Sequence, residues 1–120
     1  MPGDPHPPLA PLVGLLDLVG PANAAELLLQ LVADLASCDA TIVEALPRRD
    51  WLALRRASHN LTALAGTAGA VDLHHLAEAL NQAAHASDLA AVQSLGPKIR
   101  RDLAALTTRI NALSASRETR

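Results

Sequence analysis

The chain has 120 residues, of which half are apolar and one, Trp51, is aromatic, and its formal net charge is −2. With no cluster of aromatic side chains for base stacking and no excess of positive charge, neither nucleic acid nor an anionic membrane is an expected partner. The length suits one domain with a single modest core. The abundance of alanine and leucine favours packed helices over strands.

The cysteine content and the hydropathy pattern bear on the compartment. Cys38 is the single cysteine, so no disulfide can form within the chain, and a reducing environment is expected. No apolar run reaches the ~18 residues of a membrane-spanning helix, and the N-terminus lacks the basic and apolar regions of a signal peptide. We therefore expect a cytoplasmic location, which includes the cytoplasmic end of a membrane-anchored protein.

The chain begins with a proline-rich lead, residues 1–8, which is expected to be extended, either as a disordered terminus or as an interdomain linker. Residues 9–18 predict a short apolar helix that ends at Gly20-Pro21.

The first long helix is predicted to begin with Asn23 as its N-cap and Glu26 as the capping-box partner, and to end at Pro47. Its apolar residues recur at steps of three and four, as in an amphipathic helix. They are Leu28, Leu31, Val32, Leu35 and Ile42.

The next helix is predicted to begin after Asp50 as N-cap and to end near Ala68, before the break at Gly69. At 100° per residue, its apolar positions fall within one arc, which marks the buried face. These positions are Leu54, Ala57, Leu61, Leu64, Ala65 and Ala68.

Two further helices are predicted, one capped by Asp72 and the other opened by Ser87 or Asp88. The inward positions of the first are Leu73, Leu76 and Leu80. Those of the second repeat like a heptad seam and are Leu89, Val92, Leu95, Ile99, Leu103, Leu106, Ile110 and Leu113.

Gly96-Pro97 predicts a kink or a brief break within the last helix, and residues 114–120 predict a frayed polar tail. Four amphipathic helices with short connections pack most simply as an up-down-up-down bundle. The predicted fold is therefore all-α: a four-helix bundle over residues 9–114, with a short extra N-terminal helix.

His59 lies opposite the apolar arc of its helix, on the predicted solvent side, with Arg55 one turn before it and Ala63 and Gly66 in the turns after it. Glycine within a helix costs about 1 kcal/mol relative to alanine. The close approach of another molecule would explain Gly66, and its place beside His59 favours a separate protein over a neighbouring helix.

The residues around His59 resemble those of the histidine-containing phosphotransfer (HPt) domain. The segment Ala57-Ser58-His59-Asn60-Leu61, followed by Gly69-Ala70 and the leucines at 73, 76 and 80, is similar to that family's pattern. The pattern reads Ala-His-x-Leu-Lys-Gly, a run of small residues, Gly-Ala and then spaced leucines. The resemblance covers roughly residues 9–114 and places His59 in the phosphorylated position.

The chain departs from the family pattern at two positions, since Thr62 replaces its lysine and Ala63 its glycine. Threonine can donate a hydrogen bond to a phosphoryl oxygen but carries no charge. A second register would align Gly66 with the family glycine and Thr62 with the histidine, which would make the chain a pseudo-phosphotransfer domain. The first register is preferred because it keeps the downstream leucines in step.

The resemblance implies a phosphocarrier in a multistep His-Asp relay, whose partners are receiver domains of response regulators. A neutral imidazole, the main form near pH 7, has a free lone pair for an activated phosphoryl group. The family implies that the receiver supplies Mg²⁺, so no cofactor is expected on this chain. Arg55 and Arg56 could screen the phosphate or steer an acidic partner surface.

No glycine-rich phosphate loop is present, so the chain is not expected to be a self-standing kinase. The proline-rich lead favours the C-terminal module of a hybrid sensor histidine kinase over a free-standing shuttle. The other histidines lack the ligand spacing of a metal site. Two other functions stay open, namely a docking module that accepts no phosphate and a helical dimerisation element.

Overall fold

The computed structural model describes residues 9–118, and within this range the secondary structure consists of helices without strands. The helices are α1 (Ala10–Val19), α2 (Pro21–Arg48), α3 (Trp51–Ala68), α4 (Val71–His85) and α5 (Leu89–Glu118). This confirms the all-α prediction, including the short N-terminal helix. The linker or disordered lead predicted for residues 1–8 lies outside the described residues.

The four longer helices form a closed ring of neighbours. Helix α2 packs on α3, α3 on α4, α4 on α5, and α5 returns to α2. Because the connections are short, successive helices run antiparallel, which gives the predicted up-down-up-down bundle. Helix α1 packs across α2 and α3. None of the described helices is long and apolar enough to cross a membrane.

The core is built mainly from leucine, isoleucine and alanine at helical spacing. On α3, all the predicted inward residues are buried except Leu64, which is half-buried. Helix α1 inserts the fully buried Leu12 and Leu16. Burying a leucine side chain contributes about 1.5–3 kcal/mol, so these residues fix the helices against one another.

Both predicted ends of α3 are confirmed. The Asp50 carboxylate accepts a hydrogen bond from the Ala53 backbone N–H at 3.1 Å. At the other end Gly69 adopts a left-handed conformation with φ of 77°, and a Cβ on it would come within 2.7 Å of Pro11 Cδ. Helix α1 therefore packs directly on the α3–α4 turn, where only glycine fits.

The predicted limits of α2 are wrong at both ends. The helix begins at Pro21, and the Asn23 side chain donates to the Val19 carbonyl instead of capping. Proline suits the first turn because the N–H that it lacks has no partner there in any helix. At the other end, Pro47 lies inside the last turn, and the chain leaves the helix at Arg49, with φ of 52°.

The Asp72 cap is also wrong, whereas one of the two candidates for the last helix is confirmed. Helix α4 follows Ala70 without a side-chain cap, which places Asp72 in the first turn. In the first turn, the Asp72 carboxylate still interacts favourably with the partial positive charge at the N-terminal end of the helix dipole. At the start of α5, the Asp88 carboxylate accepts a hydrogen bond from the Ala91 N–H at 3.1 Å.

Helix α5 continues without a break through Pro97 to Glu118. Gly96 is buried, and a Cβ there would come within 2.8 Å of Leu46 Cδ1, so this glycine permits close packing of α2 on α5. The helix extends past residue 114 to Glu118, where Arg117 Nη1 donates to Asp17 Oδ1 of α1 at 3.2 Å. The last two residues of the predicted polar tail, 119 and 120, lie outside the described residues.

Candidate functional site

His59 lies in the middle of α3, and its side chain is exposed to solvent, as the helical spacing predicts. Arg55, Arg56, Ala63 and Gly66 are exposed on the same helix. The arc of leucines and alanines on the opposite side holds α3 in the bundle. The packing of the core therefore dictates which side of α3, and with it His59, faces outward.

The imidazole of His59 lines an open groove between α3 and α4. The wall from α3 also includes Arg55 and Arg56, and the wall from α4 consists of Asn81 and His85. Leu52 and Asn60 complete the lining, which contains no carboxylate. The groove thus combines basic and amide groups around an exposed histidine, a surface suited to an anion.

Ser58 connects the two walls of the groove from inside. It is fully buried, and its hydroxyl lies 3.0 Å from the Arg55 carbonyl and 3.4 Å from Asn81 Oδ1. A hydroxyl has one proton and therefore donates to one of these oxygens at a time. The contact sets Asn81 at the level of His59 across the α3–α4 seam.

Thr62 is half-buried, and its hydroxyl donates to the Ser58 carbonyl at 2.8 Å. The one proton of this hydroxyl is therefore used inside α3 and is not directed at a group on His59. The Thr62 carbonyl in turn lies 3.0 Å from His74 Nδ1, and His74 Nε2 lies 3.1 Å from Glu78 Oε1. These contacts fasten α4 to α3 beside the groove.

Gly66 has no close neighbour that would explain the absence of a side chain. A Cβ built on it meets His74 Nδ1 at 3.8 Å, which is an ordinary van der Waals distance. Packing within the bundle therefore does not require glycine here. Ala63, the other small residue after His59, is also exposed. This part of α3 is left open to solvent.

Asn81 and His85 belong to the groove but were not predicted from the sequence. They lie one turn apart on α4, so they share a face, but their place beside His59 depends on the register between two helices. The Gly69-Ala70 turn was the available signal. Two antiparallel helices joined by so short a turn have a nearly fixed register. Counting residues outward from the turn along both helices could therefore have shown which residues of α4 lie opposite His59.

Among residues 9–118, no three His, Cys, Asp or Glu side chains lie close enough together to hold a metal ion. Burial raises the pKa of the Cys38 thiol, and the nearby Asp34 carboxylate raises it further. A thiol with a raised pKa is a poor nucleophile at neutral pH. Cys38 therefore has the character of a packing residue in α2.

An antiparallel helical bundle that presents a histidine on an open helix face, beside small exposed residues, has the architecture of a histidine phosphotransfer module. The chain belongs to the Hpt domain family, whose family model matches residues 26–116. This finding confirms the resemblance seen in the sequence. The class of function is a histidine phosphotransfer carrier in a phosphorelay, and Hpt domains work with receiver domains of response regulators.

The structure is similar to the crystal structure of histidine-containing phosphotransfer protein B (HptB) from Pseudomonas aeruginosa PAO1. The TM-score is 0.83 and the sequence identity 23%, over 95% of this chain and 98% of that chain. At this identity the likeness establishes the fold. A comparison with curated protein sequences finds no match.

Proposed function

We propose that His59 accepts a phosphoryl group from the aspartyl phosphate of one receiver domain and passes it to the aspartate of another. The observation that carries this proposal is the exposure of His59 in the middle of α3, where the sequence resemblance puts the family's histidine. The open surface around Ala63 and Gly66 supports it, because a receiver must bring its aspartate close to the imidazole.

The transfer needs little from this chain besides a lone pair in the right place. A nitrogen of the neutral ring attacks phosphorus, the N–P bond forms, and the P–O bond to the aspartate breaks with its electrons remaining on the carboxylate. The return step reverses these changes at a second aspartate. As the family resemblance implies, the receiver would hold Mg²⁺ and supply most of the charge stabilisation, and the bundle would contribute positioning.

The remaining predicted site residues divide into two groups. Ala63 and Gly66 would leave room for the receiver, and Thr62 would keep its hydroxyl within α3. Arg55 and Arg56 are exposed, and neither guanidinium group has an ion-pair or hydrogen-bond partner among the described residues. They are therefore available to attract an acidic receiver surface or to contact the phosphoryl group.

A second candidate function is a docking module that binds a receiver without accepting phosphate. The specific observation in its favour is Thr62, which replaces the family's lysine and has its hydroxyl engaged at 2.8 Å with the Ser58 carbonyl. This position would then give no direct help to a phosphoryl group on His59. Both functions use the same open surface, so binding alone does not separate them.

The test is phosphoryl transfer from a purified, phosphorylated receiver domain to this protein, with His59→Gln beside the wild type. We expect acid-labile label on the wild type and none on the variant. The matched control is His75→Gln, because His75 is exposed on α4 outside the groove. Loss of label in both variants, or label retained by His59→Gln, would contradict the assignment of His59.

A further inference from the structure

The groove beside His59 contains two guanidinium groups that have no ion-pair partner among residues 9–118. Arg55 and Arg56 line it without a carboxylate partner. Other arginines of the chain do pair with acids, at separations of 2.9–3.5 Å. They are Arg48 with Glu44, Arg100 with Asp39 and Arg117 with Asp17. The groove thus holds two guanidinium groups with no carboxylate among its lining residues.

His85 enters this groove from α4, one turn beyond Asn81. Because α3 and α4 are antiparallel, a step of one turn along α4, about 5.4 Å, corresponds to a step back toward the start of α3. The Ser58–Asn81 contact at 3.4 Å fixes the register. His85 therefore lies level with Arg55, across the groove and on the N-terminal side of His59.

A phosphoryl group on His59 would lie over this same turn. Helical side chains lean toward the N-terminus, so a residue covers the turn that precedes its own Cα. The imidazole of His59 accordingly covers the turn of Arg55 and Arg56 rather than that of Thr62. The Thr62 hydroxyl is in any case bonded to the Ser58 carbonyl.

We propose that His85, together with Arg55 and Arg56, forms a phosphate-binding groove that neutralises the phosphoryl group on His59. The positive charge that the family's lysine would bring from position 62 is supplied here from α4 and from the preceding turn of α3. This inference rests on the proposed function, because it requires that His59 carries phosphate. Its new element is a binding role for His85 toward a phosphoryl dianion.

Protonation gives His85 a property that the arginines lack. An imidazole changes charge between pH 5 and 8, whereas a guanidinium stays charged. The titratable and charged groups that line the groove are Arg55, Arg56 and His59 from α3 and His85 from α4. No residue of α2 or α5 lines it. The role proposed for His85 requires the imidazolium form, in which the ring carries a positive charge.

The test uses phosphoramidate, a small phosphoryl donor that reacts with imidazole without a receiver domain. The initial rate of His59 labelling would be measured at pH 6 and pH 8 for the wild type and His85→Gln. At pH 6 we expect His85→Gln to be labelled about three- to tenfold more slowly than the wild type. This is the effect of losing the attraction between one positive charge and an anion a few ångströms away in water. At pH 8 the difference should shrink.

Two further variants separate charge from packing. Arg101→Gln removes an exposed arginine of α5 outside the groove and should label at the wild-type rate. His85→Lys should restore the rate and keep it at pH 8, because a lysine remains charged there. In the wild type, the ring ¹⁵N resonances of His85 should shift when His59 is phosphorylated. Circular dichroism of each variant would show that the bundle is intact.

The possible failures are distinguishable. If His85→Gln labels as fast as the wild type at pH 6, the role of His85 is overturned while the phosphorylation of His59 stands. A rate that falls in His85→Gln and is not restored by His85→Lys at either pH would also overturn it, because charge is then not the cause. Wild-type protein that takes no label would overturn the proposed function and this inference with it.

Discussion

Two glycines at the end of α3 show how the same residue serves different purposes in two regions of the molecule. At Gly69 the backbone is left-handed, and a Cβ would come within 2.7 Å of Pro11 Cδ. At Gly66, one turn earlier, a Cβ would meet a single atom at 3.8 Å. The first glycine is required by the fold. The second is not, and its cost of about 1 kcal/mol in helix propensity is offset by nothing inside the bundle.

This comparison divides the surface of α3 into a closed region and an open region. The closed region is the turn at Gly69, which α1 covers. The open region runs from Leu52 to Gly66 along the groove and the exposed small residues. Changes in the closed region should act on stability, and changes in the open region should act on phosphoryl transfer.

The largest effect on stability is expected from Gly69→Ala. Alanine at this position would be strained by the left-handed backbone conformation, and its Cβ would clash with Pro11. We therefore expect the free energy of unfolding to fall by about 2–4 kcal/mol. Urea unfolding followed by circular dichroism measures the change. Transfer, corrected for the folded fraction, should match the wild type. A stability within 0.5 kcal/mol of wild type, roughly the scatter of surface substitutions, would contradict the role given to this turn.

Asp50→Ala tests the start of α3, where the carboxylate caps the Ala53 N–H. Loss of an N-cap costs about 1 kcal/mol, which should appear as a lower midpoint in urea with an unchanged slope. Asp50→Ser is the matched control, because serine is also a good N-cap. Equal losses in both variants would show that the hydrogen bond is not the cause.

Gly66→Ala should change stability and function in opposite directions. The free energy of unfolding should rise by up to about 1 kcal/mol, because alanine is the better helix former and its Cβ has room. Transfer from a receiver should slow down, whereas labelling by phosphoramidate, which needs no docking partner, should not. Transfer at the wild-type rate would show that the receiver does not approach Gly66 closely.

The sequence predicts α3 well because all the signals for this helix are local. Asp50 and Gly69 are separate start and stop signals, and the apolar arc between them sets the exposed side. The start of α2 was predicted less well, since Asn23 and Glu26 resemble a capping box and Pro21 begins the helix earlier. Two local signals competed there, and the sequence alone gives no measure of which one dominates.

The groove is where local patterns were insufficient. His59, Arg55 and Arg56 share one helix face, so spacing alone places them together. Asn81 and His85 join them through contacts between helices, of which the buried Ser58 is one. A serine on the apolar side of α3 is a weak signal in the sequence, because the same residue also occurs on exposed faces. Its partner becomes evident once α4 is in place.

The hydrogen bond between Arg117 and Asp17 brings together side chains that are 100 positions apart in the chain. This side-chain contact joins the end of α5 to the last turn of α1, although α1 itself packs on α2 and α3. Gly69, the end of α3 on which α1 packs, is 10 residues from His59, or about 15 Å along the helix. Asp17 is seven residues from the start of α1, about 10 Å along the helix, so a linker from the end of α5 to Ala10 has a short distance to span. The backbone could then be reopened at the α4–α5 turn. Such a circular permutant would keep α3 and α4 consecutive, and with them the groove.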